Sequence, residues 1–265
     1  VTYPLLEVDS LLSLSSSFNL ERTLFRNEPN VDPEPGDIEP REPTFGWFNR
    51  LDFSLTYANL DRHAESISIE RGISGDLTLS VENELIGSET DSVFLTYGLR
   101  LYHPNPLIDR HVLRLKVNGG ITRSGKGGSQ AFAVGGYRPQ DVLSDVILQN
   151  PRGQFVLRGY PPGLLVGSQF QVWTASYRFP LLRLETGPST VPFYLTRLKG
   201  EVFADAGGAF SGLLADADLR TSVGLQLQLG LRFGYYLGGN LRLGFARGLG
   251  EGGFNVWYLF YGGGF

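Results

Sequence analysis

The residues best suited to specific chemistry lie in one short stretch, Val156, Leu157, Arg158, Gly159, Tyr160, Pro161, Pro162 and Gly163. Arg158 presents a rigid fork of donors that suits bidentate pairing with a carboxylate. Gly159 lets the guanidinium approach a wall closely, Tyr160 adds a rigid ring face, and the two prolines stiffen the exit. The stretch closes a long connection, residues 138–166, between two runs of alternating hydrophobicity. Taken alone, Arg-Gly-Tyr reads more readily as a solvated turn, so its weight comes from its place in the chain.

Other chemistries lack a constellation. His63, His103 and His111 fall at or near predicted strand ends, and no serine occupies a Gly-x-Ser-x-Gly elbow. A lipid-cleaving site would need a serine and a histidine together on one outer face. Gly125-Lys126-Gly127-Gly128 follows no strand-to-helix pattern, so a phosphate loop is not expected. The spacing of His103 and His111 does not suggest a metal site. No catalytic residue, metal or cofactor is expected.

Composition points to strands. The 265 residues include 35 Gly, 18 Phe and 12 Tyr, with 19% charged residues, below the roughly 25% of a soluble domain. Glycine and aromatics at this level favour sheet and turn over helix. There is no cysteine, which removes thiolate and disulfide chemistry and is compatible with an oxidising compartment. A net charge of −4 argues against a nucleic-acid partner, which selects clustered Lys and Arg. No run approaches 18 apolar residues, the length of a membrane helix, so a membrane location requires a closed barrel. The chain opens at Val1 without a basic-then-apolar leader, and the expectation is that any signal peptide has been removed.

Residues 1–44 are expected to hold one weak strand near residues 11–20 and an acidic, proline-rich, solvated loop, 27–43. A calcium site is the alternative for that loop, but the carboxylates lack ion-loop spacing. From Phe45 onward the pattern is alternation. Leu51, Phe53, Leu55 and Tyr57 oppose Asp52, Ser54 and Thr56; Ile67 and Ile69, then Leu77, Leu79 and Val81, continue it, with a bend or bulge expected at Gly72 and Gly75. Val93, Leu95, Tyr97, Leu99 and Leu101 form an apolar row, although Phe94 and Tyr102 interrupt the opposite face. A tight turn is expected at His103-Pro104-Asn105-Pro106. Phe132 and Val134 make a short strand, and residues 169–178 a longer one running into Phe179-Pro180.

Alternation is cleanest over residues 223–235, where Val, Leu, Phe and Tyr fill every odd position while Gly, Gln and Arg fill every even one. Thirteen residues exceed the usual globular strand of about five or six and match a tilted membrane strand of about 9–11 plus its ends. About eleven or twelve strands are expected, in an all-β, antiparallel transmembrane barrel over residues 45–265. A soluble sandwich also alternates, but the glycine-rich and charged second faces favour the barrel. Rows led by Leu225 and Leu243 then face lipid, and Gln226 and Arg242 face the lumen.

Three features, in order, resemble the BamA/TamA-type bacterial surface-antigen superfamily of outer-membrane proteins, which includes the two-partner-secretion transporters. They are Arg158-Gly159-Tyr160 in a long loop, Phe203-Ala204-Asp205-Ala206-Gly207 on a later strand, and a final strand ending in Phe265. Tyr177-Arg178-Phe179-Pro180-Leu181 looks like that family's strand end, and four predicted strands follow it, at 194–210, 220–235, 239–248 and 255–265. The resemblance covers most of residues 45–265 and is strongest from Gly153.

The resemblance implies the C-terminal part of a sixteen-stranded barrel into which the loop 138–166 folds back, with Arg158 paired to Asp205 in the lumen. Parity agrees, because Asp205 shares a face with Lys199 and Glu201. Trp257, Leu259, Tyr261 and Phe265 correspond to a terminal assembly signal, and Gly262, Gly263 and Gly264 suit a seam that opens. The implied function is insertion of outer-membrane proteins or translocation of polypeptides in the outer membrane of a Gram-negative-type bacterium. Outer-membrane lipid, a polypeptide client and periplasmic or outer-membrane partner proteins are the implied partners; a passive pore or structural barrel is the alternative. The chain departs from the family pattern in having Ser176 where a glutamate is usual, about eleven visible strands, and no POTRA-like domain before the barrel.

Overall fold

In the computed structural model, residues 2–6, 11–23, 46–61, 69–89, 91–124, 132–136, 154–187, 193–214, 217–233 and 237–263 are described. The acidic loop 27–43, His63 and Phe265 lie outside them, as do residues 137–153 of the long connection.

The wall of the molecule is one antiparallel sheet of eleven strands in which every neighbour follows in chain order. Its strands are β1 (Thr2–Leu6), β2 (Leu11–Thr23), β3 (Gly46–Asp61), β4 (Arg71–Glu82), β5 (Ser92–Pro104) and β6 (Val112–Ser124), then β10 (Gln169–Thr186), β11 (Phe193–Phe210), β12 (Arg220–Phe233), β13 (Leu237–Gly248) and β14 (Asn255–Gly263). Three short strands, β7 (Phe132–Gly135), β8 (Gln154–Val156) and β9 (Leu165–Gly167), form a separate sheet inside the excursion between β6 and β10. Among the described residues the large sheet is open, with β1 and β14 at its edges.

Continuous registers carry the period-two pattern across the wall, so each strand places the same kind of residue on the same side. One row runs Arg178, Glu201, Gln226, Gly244 and Tyr258 across β10 to β14; the next, offset by one residue, runs Tyr177, Val202, Leu225, Phe245 and Trp257. The first side is polar and largely covered. The second is apolar and bare, with Leu225 53% exposed against 7% for Gln226.

Several local expectations are corrected. Ile69 precedes β4 and lies outside any strand, next to Glu70, whose N–H donates to the Asp61 carbonyl; Ile67 lies outside the described residues. No bulge interrupts β4, whose pairings with β3 and β5 run unbroken through Gly75, while Gly72 at its start takes a left-handed φ of 124°. β5 continues through Pro104, and the turn begins at Asn105, whose N–H donates to the His111 carbonyl. β10 passes Pro180 and ends at Thr186, with an irregularity at Pro180/Leu182 that accommodates the missing N–H. Thr2–Leu6 adds an unforeseen strand, whereas Phe132 and Val134 belong to the small sheet and not to the wall.

The molecule's packed core lies where the excursion meets the polar side. Phe132, Val134, Leu157 and Tyr160 pack there against Phe170, Val172 and Ala209, with Phe94 at the margin. Phe132 meets Phe94 edge-on at 6.2 Å and Phe170 at 4.6 Å. Phe94 interrupts the polar pattern of its strand because it supplies part of this seat.

Candidate functional site, a buried ion pair under a docked segment

The segment holding Arg158 is fixed by its own short strands. β7 pairs in parallel with β8 and antiparallel with β9, and the Leu157 N–H donates to the Gly135 carbonyl. This brings the chain over β11, where the Arg158 Nε and Nη2 atoms donate to Asp205 Oδ2 and Oδ1, each at 2.7 Å. The two side chains are 10% and 1% exposed. The guanidinium carbon also lies 3.2 Å from the centre of the Phe203 ring. Phe203 in turn packs with Ala246 and Tyr258, so the cation rests on an aromatic floor reaching β14.

The neighbours of Arg158 explain their residue types. Gly159 has φ of 84°, and a Cβ there would run into the backbone of Arg247 and Gly248. Its carbonyl accepts from the Phe254 N–H at 3.0 Å. The Tyr160 hydroxyl donates to the Thr221 carbonyl at 2.6 Å and accepts from the Gly250 N–H at 2.9 Å. Arg158 therefore holds the segment to β11, while Gly159 and Tyr160 hold it to β12 and the β13–β14 turn. A Cβ on Gly207 would press on Val172, which forms the floor of the segment's core.

A second charge cluster lies beside the first. Glu201 Oε1 accepts from Arg114 Nη2 at 2.8 Å, and its Oε2 accepts from Arg178 Nε at 3.0 Å and Gln226 Nε2 at 3.2 Å. Tyr258 donates onward to Gln226 Oε1 at 3.1 Å. Ser176 is 2% exposed and accepts from Arg114 Nε at 3.1 Å. The carboxylate serving this neighbourhood thus comes from Glu201, one strand over from Ser176. The sequence reading placed Glu201 on the polar face without assigning it a partner; Arg178 lies directly opposite it on β10, and Arg114 reaches it from β6, two strands away.

The terminal residues are apart from this site. Trp257 and Leu259 lie on the bare apolar side, 70% and 57% exposed. Tyr261 pairs through its backbone with Leu241 on the edge strand, and Phe265 is outside the described residues. His111 is also elsewhere, its Nδ1 2.8 Å from the Tyr177 hydroxyl at the opposite end of the wall. Among the described residues, no group of three His, Cys, Asp or Glu side chains could hold a metal ion.

The site's chemistry is mechanical. A doubly hydrogen-bonded pair between parts of the chain 47 residues apart fixes a docked segment against a wall. Comparison with known proteins gives no matching family model and no matching curated protein.

Proposed function

We propose that this chain is the membrane-embedded, C-terminal barrel portion of an outer-membrane assembly or translocation protein of the BamA/TamA type. In this reading the apolar side faces lipid, the polar side lines a lumen, further strands close the wall into a sixteen-stranded barrel, and residues 138–166 are the inward-folded loop. The observation that carries it is the Arg158–Asp205 pair, which ties the segment to the polar side of an eleven-stranded, two-faced sheet. A two-faced wall alone would serve any pore; a segment docked by a buried ion pair suits a device that must stay seated until a client engages.

The edge strand fits the same reading. Among the described residues β14 pairs only with β13, and in the closed barrel its other backbone edge would form the seam that opens to a client strand. Binding and release of such strands need no cofactor, because each step exchanges hydrogen bonds of equal kind. The test is reconstitution of the full-length protein in liposomes with an unfolded outer-membrane protein as client. Faster client insertion than in empty liposomes, lost in Arg158→Ala, is expected. Steady ohmic conductance with no effect on the client would favour the passive pore.

A further inference from the structure

We infer that the polar side of this sheet forms an anion-preferring passage, with Lys116 as its central determinant and Arg242 as a second; the inference rests on the membrane-barrel reading above. The chain as a whole is acidic, at −4, yet the polar side of its second half is not. Arg100 on β5, Arg114 and Lys116 on β6 and Arg178 on β10 share that side by register, and Lys199 on β11 and Arg242 on β13 continue it. Within the same paired registers, the carboxylates of β5, β6 and β10–β13 on this side are Glu201 and Asp205 alone. Both are already committed, Glu201 to Arg114 and Arg178 and Asp205 to Arg158.

Lys116 stands out in this set. It lies directly opposite Arg100 on the neighbouring strand, with Thr174 opposite it on the other side. Like charges facing each other across an antiparallel pair repel, so such a placement costs stability. Arg100 reaches Asp76 at 3.3 Å, in a pair that is about two-fifths exposed on both sides. Among the described residues Lys116 has no hydrogen-bond or ion-pair partner, and the next polar-side position on its own strand is Arg114. A wall lined this way lowers the energy of a mobile anion beside it and raises that of a cation, and low-dielectric walls strengthen the effect.

The carboxylates of the first half do not offset it. Glu82 is held by Arg50, and Asp52 accepts from Asn19 at 2.6 Å. Asp76 on β4 shares that side and is taken up by Arg100, and between these charges β2–β5 carry small hydroxyl residues such as Ser15, Ser54, Thr78 and Thr96, which keep water without adding charge.

The experiment is a planar-bilayer measurement of reversal potential for the full-length protein under a potassium chloride gradient. Chloride is expected to permeate better than potassium, and Lys116→Glu combined with Arg242→Glu should reverse the sign of the reversal potential. Neither residue hydrogen-bonds to the Arg158–Asp205 pair, although Lys116 shares the register row of Asp205, and heat-modifiable mobility reports whether each variant has folded. If the wild type carries little current because the segment is seated, the same comparison is made in an Arg158→Ala background. Cation preference in folded, conducting protein overturns the inference and leaves the barrel reading standing. An unchanged sign in the variant also overturns it. Absence of current in both backgrounds contradicts the barrel reading itself, and the inference with it.

Discussion

The guanidinium of Arg158 and the carboxylate of Asp205 meet through two hydrogen bonds of 2.7 Å each, with the cation seated on the Phe203 ring. Neither charge has ready access to water. Removing one partner of such a pair strands the other, which costs about 3–5 kcal/mol, although the intact pair contributes far less relative to an apolar pair. The pair therefore specifies where the segment sits more than it stabilises the wall.

Asp205→Ala and Arg158→Ala should each loosen the segment by roughly that 3–5 kcal/mol. Limited proteolysis in membranes, scored at residues 157–165, is expected to show cleavage in the variants and protection in the wild type. Equal protection in all three would remove the pair from the account. Arg158→Lys should give an intermediate result, since a single ammonium cannot reproduce the fork.

Gly159→Ala tests close approach rather than charge. The added methyl meets the backbone of Arg247 and Gly248 at a left-handed φ, and strain of this kind costs on the order of 1–3 kcal/mol before the clash is counted. Proteolysis at 157–165 should rise with Asp205 and Arg158 both unaltered. Wild-type protection would contradict the tight contact between this residue and β13.

Much of the wall was legible because a two-faced strand writes its faces into the sequence at period two. The alternation over residues 223–233 lies within β12, residues 234 and 235 being outside the described ones, and the rows of Leu225 and Gln226 fall on opposite sides as the pattern required. The small sheet was not legible, because strands of three or four residues carry too little pattern to reveal their pairing, and β7 read only as a short strand. Phe94 was visible as an anomaly, but its cause, the packing of Phe132, lies far along the chain. Asp205 was marked through resemblance and parity, whereas the Glu201 cluster depends on three strands meeting and has no local signature.

Tyr160→Phe isolates the segment's second attachment. It removes the donation to Thr221 and the acceptance from Gly250 and leaves the ring in place, at a cost of about 1–3 kcal/mol for buried groups left unpaired. Hydrogen exchange at Gly250 should accelerate. Unchanged exchange there would show that the β13–β14 turn is not held by the segment.

The two faces are separable by arginine substitution. Leu79→Arg, on the bare side of β4, should destabilise the protein in a bilayer by up to about 2–4 kcal/mol, depending on depth. Thr78→Arg, one residue away on the polar side and hydrogen-bonded to Ser54, should cost much less. Denaturant titration in lipid vesicles reads both, and the reverse order would invert the assignment of the faces.

The most direct test of the central claim is a double-mutant cycle on Arg158→Ala and Asp205→Ala, measured as the free energy of protease-accessible opening at residues 157–165 in membranes. If the pair seats the segment, the double variant is expected to cost less than the sum of the singles by more than about 1 kcal/mol, because the second removal relieves a stranded charge. Additive costs, within about 0.5 kcal/mol, would show that the two residues do not act on each other and would contradict the docked segment as described.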